Sequence, residues 1–130
     1  MTGLLRAALV WLALAPMHAH AGEVIAHSSV HIDAEEIRDV YLGEKQFAGG
    51  VKLVPVDNAA IQSEFLAKIL QTDAAKYSAR WTRKSFRDGL TPPSMKGSDA
   101  EVMAFVRATP GAIGYITGTT KGGMKVLVKF

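Results

Sequence analysis

Short apolar runs alternate with longer amphipathic stretches along the chain after residue 21. Four of these runs are a few residues long and bounded by polar or glycine-containing segments, which is typical of buried strands. The predicted strands are Glu23–Ser28, Lys52–Val56, Ala112–Ile116 and Met124–Phe130. The third strand follows Thr109-Pro110-Gly111, where the proline stops a helix and the glycine tolerates a positive φ angle.

The stretches between these runs carry apolar residues at i, i+3 and i+4 spacing, which predicts four amphipathic helices. The first begins at Asp33 and the fourth at Ser98, and in each a glutamate three residues later completes a capping box. Asp57 or Asn58 is expected to cap the second helix, and Asp73 the third. We expect the following residues to face the core: Ile37, Val40 and Tyr41; Ile61, Phe65, Leu66, Ile69 and Leu70; Ala74, Tyr77, Ser78 and Trp81; Val102, Met103, Phe105 and Val106.

Strands that alternate with helices are typical of α/β proteins. The chain is therefore predicted to form a mixed, mainly parallel sheet of about four strands flanked by helices. The segment Gly89–Gly97 contains two consecutive prolines and is interpreted as a loop.

The first 21 residues have the pattern of a secretory leader. Arg6 supplies the positive charge, Ala7–Ala15 is an apolar run too short to span a bilayer, and Ala19-His20-Ala21 is a small-residue cleavage signature. We therefore expect residues 1–21 to be removed and residues 22–130 to form one periplasmic domain. An uncleaved membrane anchor is the alternative.

The amino-acid composition argues against several classes of functional site. The chain has no cysteine, which excludes disulfides, thiol catalysis and cysteine metal sites. The formal net charge is +3, and removal of Arg6 with the leader lowers it to +2 (3 − 1). This mild basic bias does not predict nucleic-acid binding. His27 and His31 lack further ligands in the sequence pattern, so we expect no metal site and no cofactor.

The sequence contains none of the motifs that mark common catalytic sites. Neither a G-x-S-x-G elbow, nor an H-E-x-x-H zinc motif, nor a phosphate-binding P-loop is present. Glu35 and Asp39 share a helix face, which is interpreted as a solvated acidic surface. The chain is therefore predicted not to be an enzyme.

Several segments resemble, in order, the second lobe of the periplasmic phosphate-binding proteins that serve ABC importers, which are type 2 periplasmic binding proteins. These segments are 37–45 (IRDVYLGEK), 52–57 (KLVPVD), Trp81, 97–102 (GSDAEV) and 109–115 (TPGAIGY). The resemblance implies a short, single-lobe substrate-binding protein whose ligand is phosphate or another small oxyanion. At the phosphate-gripping loop the family carries an arginine followed by Ser-Gly-Thr, whereas this chain has DNAAIQS at 57–63.

The turn from Asp57 to Gln62 is the first candidate anion site. Backbone N–H groups and the helix dipole converge at such a turn, and Asn58 and Gln62 could add side-chain donors. Ser28 and Ser29, at the end of the first strand, are expected to lie next to it. The alternative is that Asp57 or Asn58 only caps the helix.

A second candidate is a basic patch on the third helix, formed by Arg80, Arg83, Lys84 and Arg87. Arginine suits bidentate contacts to carboxylate or phosphate groups. The alternative is a solvated helix face whose positive charge favours the helix C-terminus.

Two functions remain open from the sequence. In the first, the domain binds a small oxyanion and works with an ABC permease. In the second, the domain binds no solute and docks on another envelope protein, such as the extracytoplasmic part of a sensor or transporter. The sequence leaves the oligomeric state open.

Overall fold

The structure is a computed structural model that describes residue 3, residues 19–118 and residues 122–130. Most of the predicted leader (1–21) lies outside the described residues. Within the described part, none of the helices combines the length and the apolar character that a membrane crossing requires.

Strands and short helices alternate along the described chain. The strands are β1 (Gly22–Ala26), β2 (Phe47–Ala48), β3 (Val51–Lys52), β4 (Val54–Asn58), β5 (Ser94–Lys96), β6 (Ala112–Thr117) and β7 (Lys125–Lys129). The α-helices are α1 (Ile37–Tyr41), α2 (Gln62–Phe65), α3 (Ala74–Asp88) and α4 (Asp99–Ala108). A 3₁₀ turn (Ala34–Glu36) precedes α1, and a π-helical turn (Leu66–Leu70) continues α2.

Five strands form one sheet in the order β5-β4-β6-β1-β7. Strand β4 runs parallel to β5 and β6, whereas β1 runs antiparallel to β6 and β7. Four of the five strands therefore share one direction, which confirms the predicted mixed, mainly parallel sheet. The prediction of a plain loop over Gly89–Gly97 is wrong, because this segment contains β5. Its three residues are too few, and too polar at both ends, to give an apolar run.

The core lies on both faces of the sheet. On one face α1, α2 and α3 cover an aromatic cluster in which the rings of Phe65 and Tyr115 stack with centroids 3.9 Å apart. On the other face α4 packs Val102 and Val106 against the sheet. The predicted inward faces of α1, of α2 with its π-helical turn, and of α4 are confirmed as buried or partly buried.

The predicted inward face of α3 is only partly right. Tyr77, Trp81 and Lys84 are buried, whereas Ala74 and Ser78 are exposed. The buried stripe follows i, i+4 and i+7 spacing, so α3 contacts the body of the domain along a narrow line.

Helix capping follows the sequence at three of the predicted positions. The capping box expected at Asp33 is present, and the N–H of Asp33 donates to Oε2 of Glu36 at 3.2 Å. The side chain of Asp73 accepts a hydrogen bond from the N–H of Lys76 at 2.9 Å, and that of Ser98 accepts one from Glu101 at 3.3 Å. The expected cap of the second helix is wrong. Asp57 and Asn58 are buried at the end of β4, and α2 begins four residues after Asn58.

Gly111 should be the glycine that the fold tolerates losing least. Its φ angle is +82°, and a Cβ atom would collide with the carbonyl oxygen of Lys52. Gly111→Ala should therefore lower the free energy of unfolding by at least about 2 kcal/mol, because backbone strain and overlap act together. Urea denaturation measures this change.

Gly49→Ala is the matched control, because Gly49 also has a positive φ angle (+56°) but has open space around it. This variant should lower the free energy of unfolding by about 1 kcal/mol, because alanine at a positive φ angle is strained even where no atoms collide. Equal losses in the two variants would contradict the proposed collision at Gly111.

Candidate functional site

The turn after β4 donates its backbone N–H groups inside the protein. The N–H of Ala59 donates to the carbonyl of Lys96 at 2.9 Å, and that of Ala60 to Oδ1 of Asn58 at 2.9 Å. The N–H of Ile61 donates to the carbonyl of Asn58 at 3.2 Å. Three donors of the turn are thus satisfied without a ligand.

The side-chain amide of Asn58 is also fully used. The residue is buried, and its Nδ2 group donates to Oδ1 of Asp99 at 2.8 Å and to the carbonyl of Tyr115 at 2.9 Å. These bonds tie the end of β4 to the start of α4 and to β6. Asn58 therefore has a clear structural role, because an amide nitrogen has only two hydrogens to donate.

Asp57 is a buried carboxyl group held by two tyrosines. It is 2% exposed, and it accepts hydrogen bonds from the hydroxyls of Tyr115 at 2.8 Å and Tyr77 at 2.9 Å. Burial raises the pKa of Asp57 to about 6, and the two hydrogen bonds offset only part of this effect. Near neutral pH the group carries negative charge, which disfavours an anion beside it.

Ser28 and Ser29 lie at the opposite end of the sheet from this turn. Ser29 Oγ accepts a hydrogen bond from the N–H of Gly111 at 2.9 Å, just before β6 begins. Asn58 is four residues beyond the start of β4, or roughly 13 Å along the strand at about 3.3 Å per residue. The structure does not bring the serines and the turn together, because β1 runs antiparallel to β6.

A cleft of about 580 Å³ lies between α3 and the segment that contains β5. Asp57 and Gln62 line it together with aromatic, other apolar and hydroxyl side chains, and none of the described lining residues is basic. Phe86 lies in this lining with 91% of its surface exposed. No local sequence pattern indicated this cleft, because its second wall is formed by Pro92, Pro93 and Met95, outside α3.

The four basic residues predicted on α3 are brought together around Glu44, in a depression of about 250 Å³. Lys84 Nζ lies 3.1 Å and Arg80 Nη2 3.4 Å from the same Glu44 oxygen. The hydrogen bond from Lys84 lowers the pKa of Glu44. Arg87 pairs with Asp88 at 3.0 Å. Lys84 and Arg87 are therefore largely neutralised by carboxylates of the domain itself.

Arg83 faces a second hollow as well, on the side of α3 that meets α1. The lining of this pocket of about 300 Å³ includes Arg38, Lys76, Arg80 and Arg83, and none of the described lining residues carries a carboxylate. Of these four residues, Arg38 alone lies outside α3, and the sequence pattern did not associate it with a basic site. Arg38 belongs to a segment far from α3 in the sequence, so no local pattern could have associated it with Arg83.

Within the described residues, no three histidine, cysteine, aspartate or glutamate side chains are grouped closely enough to hold a metal ion. The two histidines considered in the sequence have other neighbours. His27 Nδ1 lies 2.8 Å from Ser29 Oγ, and His31 Nδ1 lies 3.0 Å from Lys125 Nζ.

Comparison with known proteins identifies a fold. No family model matches the sequence, and no curated protein matches it significantly. Among solved structures, an ABC-type phosphate transport receptor from Vibrio cholerae has a similar fold, with a TM-score of 0.52 and 17% sequence identity. The match covers 83% of this chain and 45% of the receptor, so the chain spans about half of the receptor's length. The predicted periplasmic-binding-protein-like fold is therefore confirmed.

Asp57 should make the stability of the fold depend on pH. Its pKa is raised from 3.8 to about 6 in the folded protein, so the folded state binds this proton more tightly than the unfolded state does. The resulting stabilisation is fully present below pH 3.8 and is lost as pH rises through about 6. At about 1.4 kcal/mol per pH unit, the loss amounts to about 3 kcal/mol at most.

Urea unfolding of the wild type and of Asp57→Asn between pH 4 and 8 measures the pH-dependent contribution of Asp57 to the free energy of unfolding, because the asparagine side chain cannot ionise. Asp88→Asn is the control, since Arg87 lowers the pKa of Asp88 from its ordinary value of 3.8, so the difference between this variant and the wild type should stay nearly constant between pH 4 and 8. If the wild type and Asp57→Asn kept a constant difference over this range, the raised pKa of Asp57 would be refuted.

Proposed function

We propose that this chain is an exported solute-binding-protein-like domain that binds a small oxyanion, with phosphate as the first candidate. The similar fold of a phosphate transport receptor supports a solute-binding function. The positive charge of α3 supports an anionic ligand. The observation that carries the proposal is that Arg80, Arg83, Lys84 and Arg87 converge on one surface, where Glu44 and Asp88 offset only two of the four charges.

We assign the oxyanion to this basic surface rather than to the turn after β4. At the turn three backbone N–H groups are already donated, and Asn58 has no hydrogen left for a ligand. Asp57 adds a negative charge there above about pH 6. On α3, by contrast, the side chain of Arg83 makes no hydrogen bond or ion pair with any described residue. An unpaired guanidinium is ready to bind a phosphate group bidentately.

In this proposal the domain is not an enzyme. It is exported with the help of residues 1–21, and it presents its oxyanion to an ABC permease or to another protein of the cell envelope. The solute stays chemically unchanged, so the required chemistry is reversible hydrogen bonding and charge pairing.

The first test of the proposal is calorimetric titration of the purified protein with phosphate, sulfate and acetate at low salt. Saturable binding of phosphate is expected, and Arg83→Gln should weaken it at least about fivefold, because one charge-assisted contact is lost.

Arg107→Gln is the matched control, since this exposed arginine lies at the end of α4 and lines neither basic hollow. It should leave the affinity within about twofold, because distant surface charges are screened by salt. The absence of heat with every anion, from protein that circular dichroism shows to be folded, would refute oxyanion binding.

A second candidate function is docking of an envelope protein at the cleft between α3 and β5. The observation that favours it is the exposure of large apolar side chains in the lining, 91% for Phe86 and 51% for Met95. Exposed apolar side chains that border a groove are typical of protein-binding surfaces. In this alternative the lobe needs no solute.

The docking alternative predicts a partner at Phe86. A photoreactive residue placed at position 86 should form one defined covalent product in intact cells, whereas the exposed position of Glu64 on α2 should form none. Phe86→Ser should change the free energy of unfolding by less than about 0.5 kcal/mol, because the side chain is exposed. Equal cross-linking at both positions, or none at either, would reject docking at the cleft.

A further inference from the structure

The hollow between α1 and α3, which we call the α1–α3 pocket, concentrates positive charge, and none of its lining residues in the described part of the chain carries a carboxylate. Arg38 comes from α1, and Lys76, Arg80 and Arg83 come from α3. The three residues of α3 are spaced i, i+4 and i+7, so they form one stripe of the helix. Thr72 adds a hydroxyl group, and the buried side chains of Leu42 and Leu70 add apolar lining.

The four cations are poorly compensated inside the domain. Neither the side chain of Arg38 nor that of Arg83 makes an ion pair or hydrogen bond with any described residue. Arg80 has one partner, Glu44, at 3.4 Å, and Lys76 has one, Asp73, at 3.9 Å. Both of these pairs are solvent-exposed, and such pairs contribute little stability.

Packing of α1 against the body of the domain determines that these charges meet. Ile37, Val40 and Tyr41 are buried, and Trp81 Nε1 donates a hydrogen bond to the carbonyl of Tyr41 at 3.0 Å. Arg38 is thereby held on the exposed side of α1, facing α3. Four like charges in one hollow repel one another, and a bound anion would relieve this repulsion.

We propose that the α1–α3 pocket binds a dianionic phosphoryl group, either as inorganic phosphate or as the head of a small phosphomonoester. This inference rests on the proposed oxyanion-binding function and names where the ligand lies. Guanidinium groups match the phosphoryl oxygens bidentately, Lys76 supplies a point charge and Thr72 a hydroxyl donor. The volume of about 300 Å³ leaves room for a short carbon skeleton against Leu42 and Leu70.

The other two hollows fit such a ligand less well. The depression around Glu44 contains a carboxylate that already binds Lys84 and Arg80. The cleft between α3 and β5 contains Asp57 and no cation. A dianion would meet negative charge in either place.

Glu44 should compete with the ligand for Arg80. The guanidinium of Arg80 lines the α1–α3 pocket and also donates to Glu44 at a long distance of 3.4 Å. Removal of the Glu44 charge should leave Arg80 free for the phosphoryl group. Glu44→Gln should therefore tighten phosphate binding about threefold or more, which damage to the fold would not do.

Titration of the purified protein with inorganic phosphate tests the location. Arg38→Gln and Thr72→Val should each weaken binding, about tenfold and about threefold respectively, whereas Arg107→Gln, which lines neither basic hollow, should change it less than twofold. If Arg87→Gln weakened binding while Arg38→Gln and Thr72→Val did not, the pocket would be wrong although oxyanion binding would stand. If phosphate did not bind to the folded wild type, both proposals would fail.

A parallel titration with glycerol 3-phosphate distinguishes the two sources of the phosphoryl group. Tighter binding of the ester than of phosphate, lost in Arg38→Gln, would identify an organic phosphate. Binding of phosphate alone, lost in the same variant, would identify the inorganic ion. Equal affinities for acetate and phosphate would overturn the inference, because the pocket would then not select a dianion. Circular dichroism of each variant checks that the fold is intact.

Discussion

The carboxyl group of Asp57 is the point on which the arrangement of the domain depends. It sits at the end of β4 and accepts hydrogen bonds from Tyr115 of β6 and Tyr77 of α3. Burial of a carboxylate is costly unless hydrogen bonds compensate it. The two tyrosines supply part of that compensation, and their hydrogen bonds connect α3 and β6 to the end of β4. The position of α3 in turn defines both the cleft between α3 and β5 and the basic surfaces.

Helix α3 separates two kinds of surface. Its buried stripe of Tyr77, Trp81 and Lys84 is narrow, so side chains on either side of the stripe stay accessible. One side borders the cleft between α3 and β5, in which none of the described lining residues is basic, and the other carries Arg83, whose charge no described carboxylate pairs with. Apolar and cationic surfaces recognise different partners, so one helix can serve a protein-docking role and an anion-binding role without conflict.

The sequence predicted much of the fold because most of its signals are local. The apolar runs gave four strands of the five-stranded sheet, and the i, i+3 and i+4 pattern gave the buried faces of three helices. Asp73 and Ser98 were recognised as caps because a capping side chain contacts the backbone three residues away. Strand β5 was missed, since three residues with polar ends carry no periodic signal. Asp57 and Asn58 were misread as caps, because strand ends and helix starts use the same residue types.

The sequence by itself determined which residues are apolar, which segments are helical or extended, and that α3 is basic. Only the tertiary structure decided which residues become neighbours. The antiparallel direction of β1 puts Ser29 at the far end of the sheet from Asn58, and the packing of α1 brings Arg38 to the arginines of α3. Both outcomes depend on contacts between residues that are tens of positions apart, and hydrophobic periodicity within one segment carries no information about such contacts.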